Sequence, residues 1–305
     1  SGFGPNCGIV HPEAIMLANQ ICNANSLDTI SVSGTIAFAM DCFEHGLLTI
    51  EDTGGIDLRF GHAEAMLEVL GLMVRRQGIG DILADGSRKA AERIGKGASQ
   101  YAVQVKGVES GYHDPRLKAG MGLVMGINPI GMDHMVGMAD TQFVNAGRGL
   151  DKARNYGFLT PIAASDLGPN KARLLSYMWP YTMALDSVLI CQFVGYEPKD
   201  LVALLSAATG WTTSLVEITK VGERAIALGR LFNAREGFTP VDDVLPWRMF
   251  NPTKTGPHAE GGLDRQRWLE GRRWSYALLG YDPETGLPTP AKLAGLGLLW
   301  TQDCM

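Results

Sequence analysis

The sequence is short of the features that mark a self-contained chemistry. Its five cysteines (Cys7, Cys22, Cys42, Cys191 and Cys304) are odd in number, widely scattered and free of C-x-x-C spacing. That pattern writes neither a disulfide framework nor a complete metal site. There is no block of basic residues and the formal net charge is −5, so the chain carries no electrostatic footprint for nucleic acid. No apolar run approaches the roughly 18 residues that a membrane span needs. Dinucleotide-type G-x-G-x-x-G, P-loop and H-E-x-x-H motifs are all absent. No charged-then-apolar leader opens the chain, and the scattered thiols suit a reducing compartment, so the expected location is cytoplasmic.

What is present is a globular, mainly helical pattern. Apolar residues make up 46% and charged residues 19% of 305 positions, enough for two domains with sizeable cores. Pro12 suits a first helical turn, and Ile15, Ala18, Ile21 and Cys22 then fall on one face. Asp28 stands where a capping residue would open a second helix that ends near Gly46. A third helix carries Ala63, Met66, Leu67, Val69 and Leu70 as its apolar stripe, and residues 80–95 read as one further short amphipathic helix. The alternation at 101–106 reads as a strand, and Gly107 to Asp114 is turn-like, which divides the chain into helical domains at 1–107 and 108–305. The second half reads as helical over 115–125, 170–195, 198–209 and 213–233, and the Gly- and Pro-rich tail as a wrapping loop region. Strands are too few for a parallel sheet, so the expected architecture is mainly α: two packed helical domains with minor β.

Four polar sites stand out in apolar company, each with a plain structural reading beside a functional one. Asp28 serves as a helix cap or as an acceptor for a ligand's amino groups. Asp114, before Pro115, is a turn residue or a site residue. His134, in the nearly uncharged run "NPIGMDHMVG", is a core histidine or a proton donor and acceptor near neutral pH. In "LDSVLICQF", Asp186 and Cys191 lie five residues apart in the greasiest stretch of the chain. A buried carboxylate there needs donors that its neighbours do not supply, and a buried lone thiol is ordinarily a small hydrophobe.

Two of these windows carry a resemblance. The family of aldehyde ferredoxin oxidoreductases, the tungsten–pterin enzymes, has two short pterin-binding patterns, Asp-x-x-Gly-Leu-Asp and Asp-x-x-Gly-Leu-Cys. Here the first window is Asn23-Ala24-Asn25-Ser26-Leu27-Asp28 and the second is Asp186-Ser187-Val188-Leu189-Ile190-Cys191. Asn23 replaces the leading aspartate of the first, and Ser26 and Leu189 stand where the patterns have glycine. The stretches "GPNCGI", "EDTGGIDLRFG", "GDILADGSRKAAERIGKGA", "VKGVESGYHDPR", "GERAIALGRLFNAREGFTPVDD" and "GLPTPAKLAGLGL" also resemble that family, in its order, so the resemblance spans the whole chain.

The resemblance implies the helical C-terminal half of such an enzyme, with 1–107 like its domain 2 and 108–305 like its domain 3. It implies a tungsten (or molybdenum) bis-pterin and a [4Fe–4S] cluster as cofactors, and oxidation of aldehydes to carboxylic acids. Asn23, Asp28 and Asp186 would accept hydrogen bonds from the pterins, Thr29 would line the substrate pocket, and Cys191 would be one thiolate ligand of the cluster. His134 would assist proton transfer near the metal. The implied partners are a ferredoxin-like electron carrier, a small aldehyde-type substrate, an N-terminal pterin-cradling domain or subunit and a second copy in a homodimer. That N-terminal domain, three clustered cysteines and a catalytic glutamate would precede Ser1, so this chain by itself is expected to bind neither group and to be inactive. Two other functions are open on the same fold: a scaffold or binding subunit without catalysis, and aromatic-ring reduction of a CoA thioester.

Overall fold

The computed structural model describes residues 1–256 and 258–304. Its helices are α1 (Pro12–Ala24), α2 (Thr29–Glu44), α3 (Ala63–Arg75), α4 (Ile79–Leu83), α5 (Gly86–Ile94), α6 (Ala119–Ile127), α7 (Arg148–Arg154), α8 (Pro169–Ser187), α9 (Pro198–Thr209), α10 (Leu215–Arg235), α11 (Arg265–Leu278) and α12 (Pro290–Leu296). Among the described residues the sheet is one antiparallel pair, β1 (Gln104–Val105) with β2 (Val108–Glu109), in register Gln104 to Glu109 and Val105 to Val108. The mainly α architecture is as expected.

The chain forms two compact units. The first comprises Ser1–His113, Gly131–Asp133 and Leu245–Asn251. Its centre is α2, which is buried nearly all round, with Ile36, Met40 and Cys42 fully covered. Removing such side chains from water stabilises by roughly 1.5–3 kcal/mol apiece. The stripe of α3 that packs in this core is Met66, Val69, Leu70 and Met73. The single helix expected at 80–95 is two helices, α4 and α5, and Gly86, which opens α5, has φ 87°. A left-handed glycine breaks the helical repeat that the apolar spacing alone does not interrupt. Glu109 is buried at the start of α5, where its Oε1 accepts from the Ser87 amide at 2.7 Å and the Ser87 hydroxyl at 2.8 Å.

The second unit comprises Asp114–Ile130, His134–Val244 and Pro252–Met305, of which Met305 and Pro257 lie outside the described residues. Trp179 of α8, Trp268 and Tyr276 of α11, and Leu123 and Met125 of α6 are fully buried in it. Helix α10 lies directly on α8: a Cβ at Gly222 would stand 1.9 Å from the Pro180 carbonyl oxygen, so only glycine fits. Two ionic clusters hold this unit. Asp140 accepts from the Gly120 and Met121 amides at the start of α6 and pairs with Lys171, both side chains fully buried. Arg230 pairs with Asp243 at 2.6 Å, which also accepts from the Tyr276 hydroxyl. The tail departs from the expected loop region, because α11 folds between its Gly- and Pro-rich stretches and α12 follows the second. The stripe that turns α11 inward (Trp268, Gly271, Ser275, Tyr276) is half small or polar, and so it carries a weak apolar signal.

Candidate functional site

In the first unit, Asn23, Asp28 and Thr29 share the turn between α1 and α2. Helix α1 ends in a Schellman turn: the Leu27 amide donates to the Cys22 carbonyl at 2.9 Å, and Ser26 adopts φ 55°. Asp28 then caps α2, its Oδ1 accepting from the Ser31 amide at 2.6 Å. The capping half of the expectation for Asp28 holds, and Oδ2 accepts no hydrogen bond from the described residues. Asn23 is exposed in the last turn of α1, and Thr29 is half-buried. Thr29 borders a cavity of about 490 Å³ whose lining includes Phe3, Ile15, Met16, Asn19 and Tyr112.

In the second unit, Asp186 and Cys191 share a turn of the same construction. The Ile190 amide donates to the Leu185 carbonyl at 3.0 Å, Leu189 adopts φ 60°, and Cys191 is extended at φ −64°, ψ 124°. Asp28 at the matching place has φ −69°, ψ 119°. The two hexapeptides are therefore one backbone motif used twice. In both, the residue that replaces the pattern's glycine keeps the left-handed conformation glycine adopts most readily.

The burial expected of Asp186 and Cys191 is not found: both are exposed. The apolar letters misled because helix α8 ends at Ser187 and turns its last residues outward, leaving Leu189 93% and Phe193 85% exposed. The Asp186 carboxylate accepts from Gln192 Nε2 at 3.1 Å through Oδ1, and its carbonyl oxygen accepts from the Leu189 amide at 3.1 Å. An acid in the last turn of a helix opposes the helix dipole, so α8 gains nothing from it locally.

His134 is half-buried in the loop after α6, between the buried Met132 and Val136. Asp114 is a closed structural pair. Burial pushes its carboxyl up, but hydrogen bonds from the Arg116 guanidinium (Nε at 2.9 Å) and amide (2.8 Å) outweigh that and hold it below the usual carboxylate range. Burial pushes the Cys7 and Cys42 thiols up to about 12, and burial followed by the Asp28 charge pushes Cys22 up to about 11. Those three stay protonated and inert near neutrality.

The donor set tests the implied groups. A four-iron cluster takes four thiolates as its usual complement. No group of three or more metal-binding side chains occurs among the described residues, and Cys191 is the accessible thiol at the turn. Cys191 can offer a cluster one thiolate. For a heterocycle bearing N–H groups, exposed Asp28 and Asp186 each have a carboxylate oxygen to which no described residue donates.

A family model described as "Aldehyde ferredoxin oxidoreductase, domains 2 & 3" matches residues 1–298. The chain belongs to the aldehyde ferredoxin oxidoreductase family. It is 32% identical over 303 residues to the tungsten-containing aldehyde ferredoxin oxidoreductase of Pyrococcus abyssi, covering 97% of this chain and 47% of that protein. It is 28% identical over 309 residues to the aliphatic sulfonate oxidoreductase, WOR-like subunit, of Pyrococcus furiosus, covering 97% of this chain and 44% of that one. The chain thus spans about half the length of the curated relatives it matches. Among solved structures, the active site complex BamBC of benzoyl coenzyme A reductase with 1,5-dienoyl-CoA has a TM-score of 0.67 at 22% identity, covering 91% of this chain and 45% of that chain. That likeness shows the fold.

Two features of this family member escaped the sequence reading. The shared turn geometry of the two windows was signalled by the glycine place in each pattern, which marks a left-handed position. Tyr112, at φ 61°, stands two residues before Asp114 and gave no signal, because nothing in its neighbours announces a strained aromatic.

Proposed function

We propose that the chain is the part of a tungsten- or molybdenum-pterin oxidoreductase that supplies hydrogen-bond acceptors to the two pterins and one ligand to the cluster, acting on aldehydes with a ferredoxin-like electron acceptor. The observation that carries this is the paired turn: two copies of one backbone motif, each ending a helix, one with exposed Asp28 at its last position and the other with exposed Asp186 at its first, each with a carboxylate oxygen to which no described residue donates. The reading takes residues 1–107 and 108–305 as counterparts of the family's domains 2 and 3. It also takes an N-terminal pterin-cradling portion as the source of the remaining ligands.

When bound, the cofactors supply two-electron chemistry at the metal and one-electron transfer through the cluster. The chain's own residues have narrower tasks. Asp28 Oδ2 and a carboxylate oxygen of Asp186 accept N–H bonds from the heterocycles, as charge-assisted hydrogen bonds. The Asn23 carboxamide oxygen accepts a neutral and weaker one. Cys191, exposed five positions after Asp186, provides a thiolate. His134 moves a proton at an imidazole nitrogen, and Thr29 helps to shape the cavity it borders.

The test is metal analysis of the full-length protein expressed anaerobically. The reading expects iron together with tungsten or molybdenum, and a Cys191→Ala variant with an altered cluster spectrum. An iron-free protein, or a spectrum that Cys191→Ala leaves untouched, overturns it. Assaying aldehydes beside aliphatic sulfonates, the substrate named for one relative, separates the two substrate classes.

A further inference from the structure

Tyr112 lies outside both candidate turns, and its backbone is in the left-handed region at φ 61°. An aromatic residue keeps such a conformation only when its surroundings over-determine it. Here the surroundings are polar and specific. The phenol donates to the Ile30 carbonyl at 3.0 Å and shares a hydrogen bond with Ser33 Oγ. Ser33 Oγ in turn reaches the Thr29 carbonyl at 2.5 Å and the Ile30 carbonyl at 3.1 Å. A Cβ at Gly2 would stand 2.1 Å from Ser33 Oγ and 2.7 Å from the Tyr112 hydroxyl, so the Gly2 backbone lies against this pair.

Thr29 and Ile30 open the first turn of α2, the turn that Asp28 caps from the amide side through Ser31, and Ser33 follows one turn on. First turns fray, because their amides have no partner within the helix. This one is tied twice: the Asp28 carboxylate holds an amide, and the two hydroxyl protons of Tyr112 and Ser33 are distributed between the Thr29 and Ile30 carbonyls and the Tyr112–Ser33 contact. Tyr112 and Thr29 border the same cavity of about 490 Å³. Burial first, against a smaller opposing effect of the Ser33 hydrogen bond, pushes the Tyr112 phenol up to about 12, so it remains a hydroxyl near neutrality.

We infer that Tyr112 is a positioning residue: it locks the first turn of α2 so that Asp28 spends one oxygen on its helix and keeps the other for a ligand's N–H donor. The ligand part rests on the function proposed above for Asp28; the locking part does not.

Tyr112→Phe keeps the ring and removes the hydroxyl. In this variant the amides of Ser31, Val32 and Ser33 are expected to exchange with solvent at least about tenfold faster, while those of Ala37 to Asp41 keep their protection. Ser33→Ala removes the other hydroxyl and is expected to do the same, which covers the case in which Tyr112→Phe does not fold. Unchanged exchange, or acceleration spread evenly along α2, overturns the lock. The ligand part is read from pterin content per chain in the full-length protein expressed anaerobically, comparing Tyr112→Phe with Asp28→Asn, which keeps a capping oxygen. Loss in both supports it. Loss in Asp28→Asn alone overturns the role of Tyr112. Full pterin in Asp28→Asn overturns the proposed function of Asp28 and the ligand part with it, while the exchange result still decides the lock.

Discussion

Ser26 and Leu189 occupy the same place in two copies of one turn, at φ 55° and φ 60°, each one residue past a helix cap and one before an amide that closes a six-residue loop. Neither residue type is at ease there. A side chain in the left-handed region costs roughly 1–2 kcal/mol relative to glycine. The strain is retained at both places where the family pattern asks for glycine, so the turn's shape is kept although the residue best suited to it is not.

From this follows a stability prediction. Leu189→Gly removes the strain and, because Leu189 is 93% exposed, gives up almost no burial. Glycine's extra freedom in the unfolded chain offsets part of the gain, leaving a net stabilisation of about 0.5–1 kcal/mol. A denaturant midpoint that falls instead would show that the Leu189 side chain has a partner its exposure does not reveal.

Gly222 is predicted to be intolerant of any side chain. Its missing Cβ is what lets α10 rest on the Pro180 carbonyl oxygen, 1.9 Å from where a methyl would stand. Gly222→Ala should destabilise by roughly 1–3 kcal/mol or more through forced separation of α8 and α10. Gly210→Ala is an informative contrast: it has open space but φ 74°, so its cost is conformational and not steric. Urea titration of both variants checks the pair.

Breaking the buried Asp140–Lys171 pair from one side should be severe. Asp140→Ala strands the Lys171 charge and the Gly120 and Met121 amides together, at a cost of about 3–5 kcal/mol. Replacing both partners by apolar residues of similar size should recover much of that loss, which a double-mutant cycle measures.

Thiol reactivity should split the cysteines by position. Cys7, Cys22 and Cys42 are buried with raised pKa values, and Cys191 and Cys304 are exposed. A thiol-specific chromogenic reagent at pH 8 should label two of the five in this chain when native and all five in denaturant. Rapid native labelling of a third would contradict the packing of the first unit's core, which holds all three buried thiols.

Acid should weaken the second unit through Asp114. Its folded pKa lies below the ordinary 3.8, so its contribution is full above the unfolded value and is lost as pH falls through the folded one. Stability measured from pH 5 down to pH 2 should fall less steeply in Asp114→Asn than in the unaltered chain. Equal slopes would remove Asp114 from the account.

The amino-acid order alone determined the class and most of the helices, because apolar spacing, capping Asp28, first-turn Pro12 and left-handed glycines act within a few residues. It also placed both candidate windows, since a six-residue pattern survives as letters even with Ser26 and Leu189 in its glycine places. Exposure was decided by the fold. Asp186 and Cys191 sit among aliphatic letters and yet face outward, because burial depends on which side of α8 meets α10 and α11 and on where α8 ends. Helix α11 shows the converse, an inward face half small or polar that only its neighbours in three dimensions make a core element. The lock at Tyr112 was beyond sequence for the same reason: its partners Ile30 and Ser33 lie about eighty positions away, and no local rule links residues at that separation.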